Sequence, residues 1–91
     1  MITIKFYSLL RLLVKVEQVE LALDNVTISQ VLAEVQKKVN TPFLHKLVQG
    51  GSLITGTVIL INGRNIHHLH KLDSLVKRGD EISLFPPGGG G

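Results

Sequence analysis

Apolar and polar residues alternate at period two through Ile2-Thr3-Ile4-Lys5-Phe6-Tyr7, which predicts a half-buried strand with Ile2, Ile4 and Phe6 on its core face. The character then changes: Ser8 to Val14 is leucine-rich with Arg11 interposed, enough for one or two helical turns. Alternation returns over Glu17 to Leu23, placing Val19, Leu21 and Leu23 inward and Glu20 outward, and Asp24-Asn25 supplies turn residues.

Thr27-Ile28-Ser29-Gln30 has the form of a capping box, in which a threonine hydroxyl and a glutamine three residues later satisfy backbone donors at a helix start. Ile28, Val31, Leu32, Val35 and Val39 then form one apolar stripe at helical spacing, with Gln30, Glu34, Lys37 and Lys38 off it. Asn40-Thr41-Pro42 stops this helix, because the residue before a proline is driven out of the α region. Phe43 to Val48 reads as a second short helix ended by Gly50-Gly51. Thr57 to Ile61 is a β-branched run suited to a central strand, closed by the turn pair Asn62-Gly63. Asn65 to Leu75 is irregular, Lys77 to Asp80 is a turn, and Glu81 to Phe85 is a last strand broken by Pro86-Pro87. Strands, one main capped helix and strands again predict an α+β fold: one mixed sheet with the helix packed across one face. The first and last strands share their alternation and can pair at the sheet centre, as in a β-grasp.

A chain of 91 residues with 44% hydrophobic content and a net charge of +3 is one ordinary globular domain, too small for a large enclosed active site. Its basic residues are scattered and its aromatics few, which argues against nucleic acid as a partner. No apolar run approaches the ~20 residues of a membrane span, and Met1 leads directly into a strand pattern. The expectation is a cytoplasmic protein with no membrane partner. There is no cysteine, so disulfides, thiolate nucleophiles and thiolate metal ligands are all excluded.

The chain's last residues are Gly88-Gly89-Gly90-Gly91. Glycine lacks a Cβ, so such a tail can thread a channel closed to other residues and present an α-carboxylate in a partner's active site. The competing reading is an ordinary loose terminus. The domain division that follows is a folded body over residues 1–87 and a flexible glycine tail over residues 88–91. Six residues from Pro86 to Gly91 reach about 20 Å at ~3.3 Å each, with the two prolines stiffening the base.

Val58-Ile59-Leu60-Ile61-Asn62-Gly63-Arg64-Asn65-Ile66, then Gly79-Asp80-Glu81-Ile82-Ser83-Leu84-Phe85-Pro86-Pro87 and terminal Gly90-Gly91, resemble the MoaD-type sulfur carriers. These are the small subunits of molybdopterin synthase, in the ubiquitin-like MoaD/ThiS family. The resemblance joins an asparagine-glycine strand end, a glycine-aspartate-glutamate turn, a phenylalanine-proline-proline exit and a final diglycine, in order and at the right total length. It implies a β-grasp fold and sulfur carried as a thiocarboxylate on Gly91, with Gly90 completing the diglycine. Implied partners are a ubiquitin-activating-type adenylyltransferase, a sulfur donor system and the large synthase subunit, which supplies the catalytic side chains. ATP is used by the activating enzyme, and no cofactor is held permanently. A carboxylate of pKa ~3.5 is ionised and inert at neutral pH, so adenylation is what would make it an acyl donor. The chain departs from the family in one place: Gly88-Gly89 stand where members often carry Val-Ala or Val-Thr, which removes two side-chain anchors. A thiazole-synthesis sulfur carrier and a ubiquitin-like modifier joined to lysines through Gly91 share the same handle and remain open.

Phe85, at the root of the tail, is expected to recognise a partner together with Pro86, Pro87, Gly88 and Gly89. The alternation also places Tyr7, Ile59 and Ile61 on the sheet face away from the helix, with Val58 and Leu60 beneath it. Ile59 and Ile61 are then either partner-binding beside Phe85 or covered by the segment 65–75. His67, His68 and His70 have no acidic residue suitably spaced and read as a surface loop with no metal bound. His45, within an apolar stretch, is expected to be partly buried. Asn62-Gly63-Arg64-Asn65 lacks the glycine spacing and lysine of a phosphate loop. No nucleophile, base and orienting carboxylate come together in the sequence, and the role the resemblance implies is that of a sulfur-donating subunit without catalytic side chains of its own.

Overall fold

The computed structural model describes residues 1–88. Strand β1 (Ile2–Phe6) leads into helix α1 (Ser8–Val14) and strand β2 (Gln18–Leu21); a short strand β3 (Val26–Thr27) precedes the main helix α2 (Ile28–Lys38). A single 3₁₀ turn (Leu44–Lys46) follows, then β4 (Val48–Gln49), β5 (Ser52–Leu53), β6 (Val58–Ile61) and β7 (Arg64–Asn65). After two more 3₁₀ turns (Ile66–His68 and Lys71–Asp73) the chain adds β8 (Leu75–Val76) and β9 (Glu81–Phe85).

The principal sheet has the order β2-β1-β9-β6-β7, with β1 and β9 parallel at its centre and every other pairing antiparallel. Parallel neighbours cannot be joined by a hairpin. Here the whole intervening chain makes the crossover, and α2 lies within it across one face. The predicted capping box starts that helix: Thr27 Oγ1 accepts from the Gln30 amide at 3.2 Å, and Gln30 Oε1 accepts from the Thr27 amide at 2.8 Å. Ile28, Val31, Leu32 and Val35 from α2 are all buried against Ile2, Ile4, Phe6, Ile82 and Leu84 of the sheet. Phe43 closes one end of this core edge-on to Phe6, with ring centroids 5.7 Å apart.

The region after α2 differs from the sequence reading. The segment after Phe43 makes only one 3₁₀ turn, and Gly50-Gly51 do not end a helix. They form a two-residue hairpin between β4 and β5, with φ of +60° and +81°. Consecutive left-handed residues match the right-handed strand twist, and glycine adopts them without a Cβ penalty. The path from α2 to the hairpin is held by side chains that bond backbone groups five to ten residues away. Gln36 donates to the Thr41 carbonyl at 3.0 Å and accepts from the Phe43 amide at 3.0 Å, while buried Thr57 donates to the Leu47 carbonyl at 3.1 Å.

The connection into β9 is similarly clasped. Asn62, at φ +50°, donates to Asp80 at 2.9 Å and accepts from the Glu81 amide at 2.9 Å, tying the β6–β7 turn to the start of the last strand. Asp24 accepts from the Arg78 amide at 2.8 Å, and this hydrogen bond holds its carboxyl below the usual carboxylate range. Both clasps orient the strand that carries the tail.

Candidate functional site

β9 is the central strand, so its exit is held from both sides: Tyr7 donates its amide to the Leu84 carbonyl at 3.1 Å, and Phe85 lies opposite Val58 of β6. Pro86 and Pro87 then offer no backbone N–H, which ends the ladder abruptly. Gly88 is exposed, and a Cβ built on it would meet nothing within 4 Å. A rigid strand thus delivers the chain to a point where side-chain contact with the body ceases.

Two contacts shape that exit. The Phe85 ring stacks on Tyr7 with centroids 4.5 Å apart and an interplanar angle of 10°, forming a flat aromatic pair at the tail's root. On the other side Gly56, at φ +94°, lies so close to Pro87 that a Cβ there would stand 3.4 Å from the proline Cβ. Along the outer sheet face, Lys5 and Glu81 pair at 3.1 Å, and the Glu81 carboxylate raises the lysine pKa.

The phase of β6 corrects the sequence reading of Ile59 and Ile61. Both are buried in the core, at 0% and 7% exposure, and cannot meet a partner. The reason is pairing register. Ile59 stands opposite Leu84 and Ile61 opposite Ile82, and these two stand beside Phe6 and Ile4, so all six share the helix-facing side. A continuous apolar run carries no period-two signal, so its phase is set by the neighbouring strand. Val58 and Leu60, half-buried, are the β6 residues beside Phe85 on the outer face.

Phe85, Tyr7, Pro86, Pro87 and Gly88 are therefore brought together, whereas Gly89, Gly90 and Gly91 lie outside the described residues. His67 and His68 sit exposed on a 3₁₀ turn pinned by the Asn65 side chain, and His70 is exposed beyond it. Among the described residues no three histidine, aspartate or glutamate side chains are grouped to hold a metal. His45 is exposed on its 3₁₀ turn, contrary to the expected partial burial, because Phe43 and Leu47 take the inward positions.

Sequence reasoning also missed an open groove of about 560 Å³ beside the tail's root. Leu9, Leu12 and Leu13 of α1 line it with Ile54, Pro86 and Pro87, and His45 and Lys46 stand at its polar edge. The signal was present: a two-turn helix with four leucines and a valine cannot turn all of them to one core.

The topology, with a sheet centred on parallel terminal strands, one helix across it and a glycine-bearing strand exit, is that of the ubiquitin-like β-grasp. Residues 4–91 match the ThiS family, and the chain belongs to it. It is a sulfur carrier or ubiquitin-like modifier of the ThiS/MoaD kind. A protein of Archaeoglobus fulgidus described as a candidate sulfur carrier is 30% identical over 83 residues, covering 89% of this chain and 94% of its own. The solution structure of small archaeal modifier protein 1 from Methanosarcina acetivorans superposes with a TM-score of 0.77 at 31% identity, over 99% of this chain and 95% of that one. A chain of the Amycolatopsis orientalis BexX/CysO complex shares the fold, with a TM-score of 0.85 at 21% identity and full coverage of both. No helix among the described residues is long and apolar enough to cross a membrane.

Proposed function

We propose that this protein carries sulfur as a thiocarboxylate on Gly91 and donates it as the small subunit of molybdopterin synthase. The observation that supports this most directly is the tail's root. A central strand held on both sides ends at Pro86-Pro87, with an aromatic pair beside it and no side chains beyond. Such a body holds the tail's base while the tail enters a partner. In the first step a Gly91 carboxylate oxygen attacks the α-phosphorus of ATP in the adenylyltransferase and expels pyrophosphate. A persulfide sulfur of the donor system then attacks the acyl carbon and expels AMP. A thiol of that system cleaves the resulting acyl disulfide, releasing the thiocarboxylate and itself ending in a disulfide. The large subunit receives the charged tail, with Phe85, Pro86, Pro87, Gly88 and Gly89 at the contact. In this reading the large subunit uses the sulfur to convert a cyclic pyranopterin monophosphate to molybdopterin, and the setting is cytoplasmic.

Intact-mass measurement tests it. Incubation with ATP, a cognate adenylating enzyme and a persulfide donor should add the difference between sulfur and oxygen, located to Gly91. No gain, or a gain that persists after deletion of Gly91, overturns the assignment. A second reading, conjugation of Gly91 to lysines of other proteins, is favoured by the 31% identity to an archaeal modifier. It would appear as Gly91 isopeptides on cellular proteins. A thiazole-synthesis role predicts transfer to a thiazole synthase in place of the large molybdopterin subunit.

A further inference from the structure

Among the described residues three of the exposed large hydrophobic side chains cluster on or just beyond α1: Leu9 is 59% exposed, Leu12 71% and Val16 40%. The helix already gives Leu10 and Val14 to the core. Leu9 and Leu12, three residues apart, stand on its other side with half-buried Leu13 between them and the body. They form one wall of the groove whose opposite side is Ile54 and Pro86-Pro87. Its polar edge carries Lys46 beside His45, and Lys46 joins no ion pair among the described residues, whereas Arg11 on α1 is paired with Glu17.

The geometry points to a docking groove for an acidic amphipathic helix on the enzyme that receives the tail. This inference rests on the carrier reading above and names where that enzyme would grip. Pro86 and Pro87 are both groove wall and tail root, so a site holding Gly91 lies within about 13 Å of the groove, the full stretch of four residues at ~3.3 Å each. The enzyme's surface must therefore pass beside these leucines. An apolar stripe flanked by carboxylates satisfies both the floor and the basic edge. A second copy of this chain, with its net charge of +3, brings no acidic excess to that edge. The glycine tail has no side chains with which to fill the groove.

The probe is a synthetic helical peptide of about four turns, with leucines at i, i+3, i+4 and i+7 spacing and glutamates elsewhere, beside a twin with lysines for glutamates. Titrated into the ¹⁵N-labelled full chain, the glutamate peptide should shift amides of Leu9 to Val16, His45, Lys46 and Ile54. It should bind about tenfold or more tightly than its twin, and Lys46→Glu should reduce that preference. The double variant Leu9→Ser/Leu12→Ser, at exposed positions, should keep its Tm and lose the peptide. With the cognate adenylating enzyme and ATP, it should raise the KM for the carrier about tenfold or more at unchanged kcat. Equal binding of both peptides, shifts confined to the outer sheet face, or an unchanged KM in an active system would overturn the inference. So would a dimer abolished by the double variant, which would assign the groove to a second copy. If the wild-type chain gains no mass with any adenylating enzyme, the carrier reading fails by itself, and the peptide titration still decides whether the groove selects an acidic helix.

Discussion

Truncating Ile59 and Phe85 separately should resolve the two faces of one sheet. Ile59 is fully buried, opposite Leu84 and beneath α2, so Ile59→Ala leaves a cavity that a paired central strand cannot collapse to fill. The cost expected for such a site is about 3–4 kcal/mol, in the middle of the range for isoleucine to alanine. A domain of this size holds roughly 5–14 kcal/mol in total, so the variant still folds. Its Tm should fall by about 15–30 °C, at roughly 4–8 °C per kcal/mol. Phe85 is only half-buried and packs chiefly on Tyr7, so Phe85→Ala should cost about 1 kcal/mol from the lost stack, or about 4–8 °C. Binding to the adenylating enzyme should reverse the order. Phe85→Ala should weaken it by about 2 kcal/mol, roughly 30-fold, if the ring is an interface hot spot. Ile59→Ala should leave binding per folded molecule unchanged. Calorimetric melting and titration calorimetry well below both melting temperatures provide the two measurements. A Phe85→Ala protein destabilised as much as Ile59→Ala, with binding untouched, would refute the division of faces.

Deleting Gly90 and Gly91 should abolish the sulfur-for-oxygen mass gain while leaving the melting temperature unchanged; a marked loss of stability would contradict the handle. Replacing His67, His68 and His70 together should leave sulfur transfer intact, and tight stoichiometric zinc binding lost in that variant would assign them a role. The Arg78 amide lowers the Asp24 pKa, so folding favours the ionised carboxylate. That contribution is present above the ordinary value of 3.8 and is lost as pH falls through the lower folded-state value. Denaturant midpoints measured across this acid range should therefore fall less steeply in Asp24→Asn, and an identical acid limb would remove Asp24 from the account.

The elements legible in the sequence were those whose signals are local. Thr27 and Gln30 mark a helix start through hydrogen bonds four residues wide, and Ile28 to Val39 repeat at the helix's own period. Ile2, Ile4 and Phe6 declare their face because polar residues alternate with them. Asn62-Gly63 tolerates the left-handed angles of a tight turn and Pro86-Pro87 restricts backbone angles, whatever surrounds them, and the order of strands around one helix narrows the topology to few choices. The order Asn62-Gly63, Gly79-Asp80, Phe85-Pro86-Pro87 and Gly90-Gly91 carries the family resemblance in the same way, as spacing along one chain.

What needed the folded chain were properties set by neighbours distant in sequence. Ile59 and Ile61 lie in an unbroken apolar run, and only the register against Leu84 and Ile82 assigns them to the core and Val58 and Leu60 to the outer face. Gly50-Gly51 can end a helix or turn a hairpin, and the pairing of Val48 with Leu53 selects the hairpin. Leu9 and Leu12 belong to a helix of only two turns, too short for periodicity to divide its leucines between core and surface. Their groove exists because β9 brings Pro86 and Pro87 beside α1, across most of the length of the chain, where tertiary packing rather than local pattern decides which side chains meet.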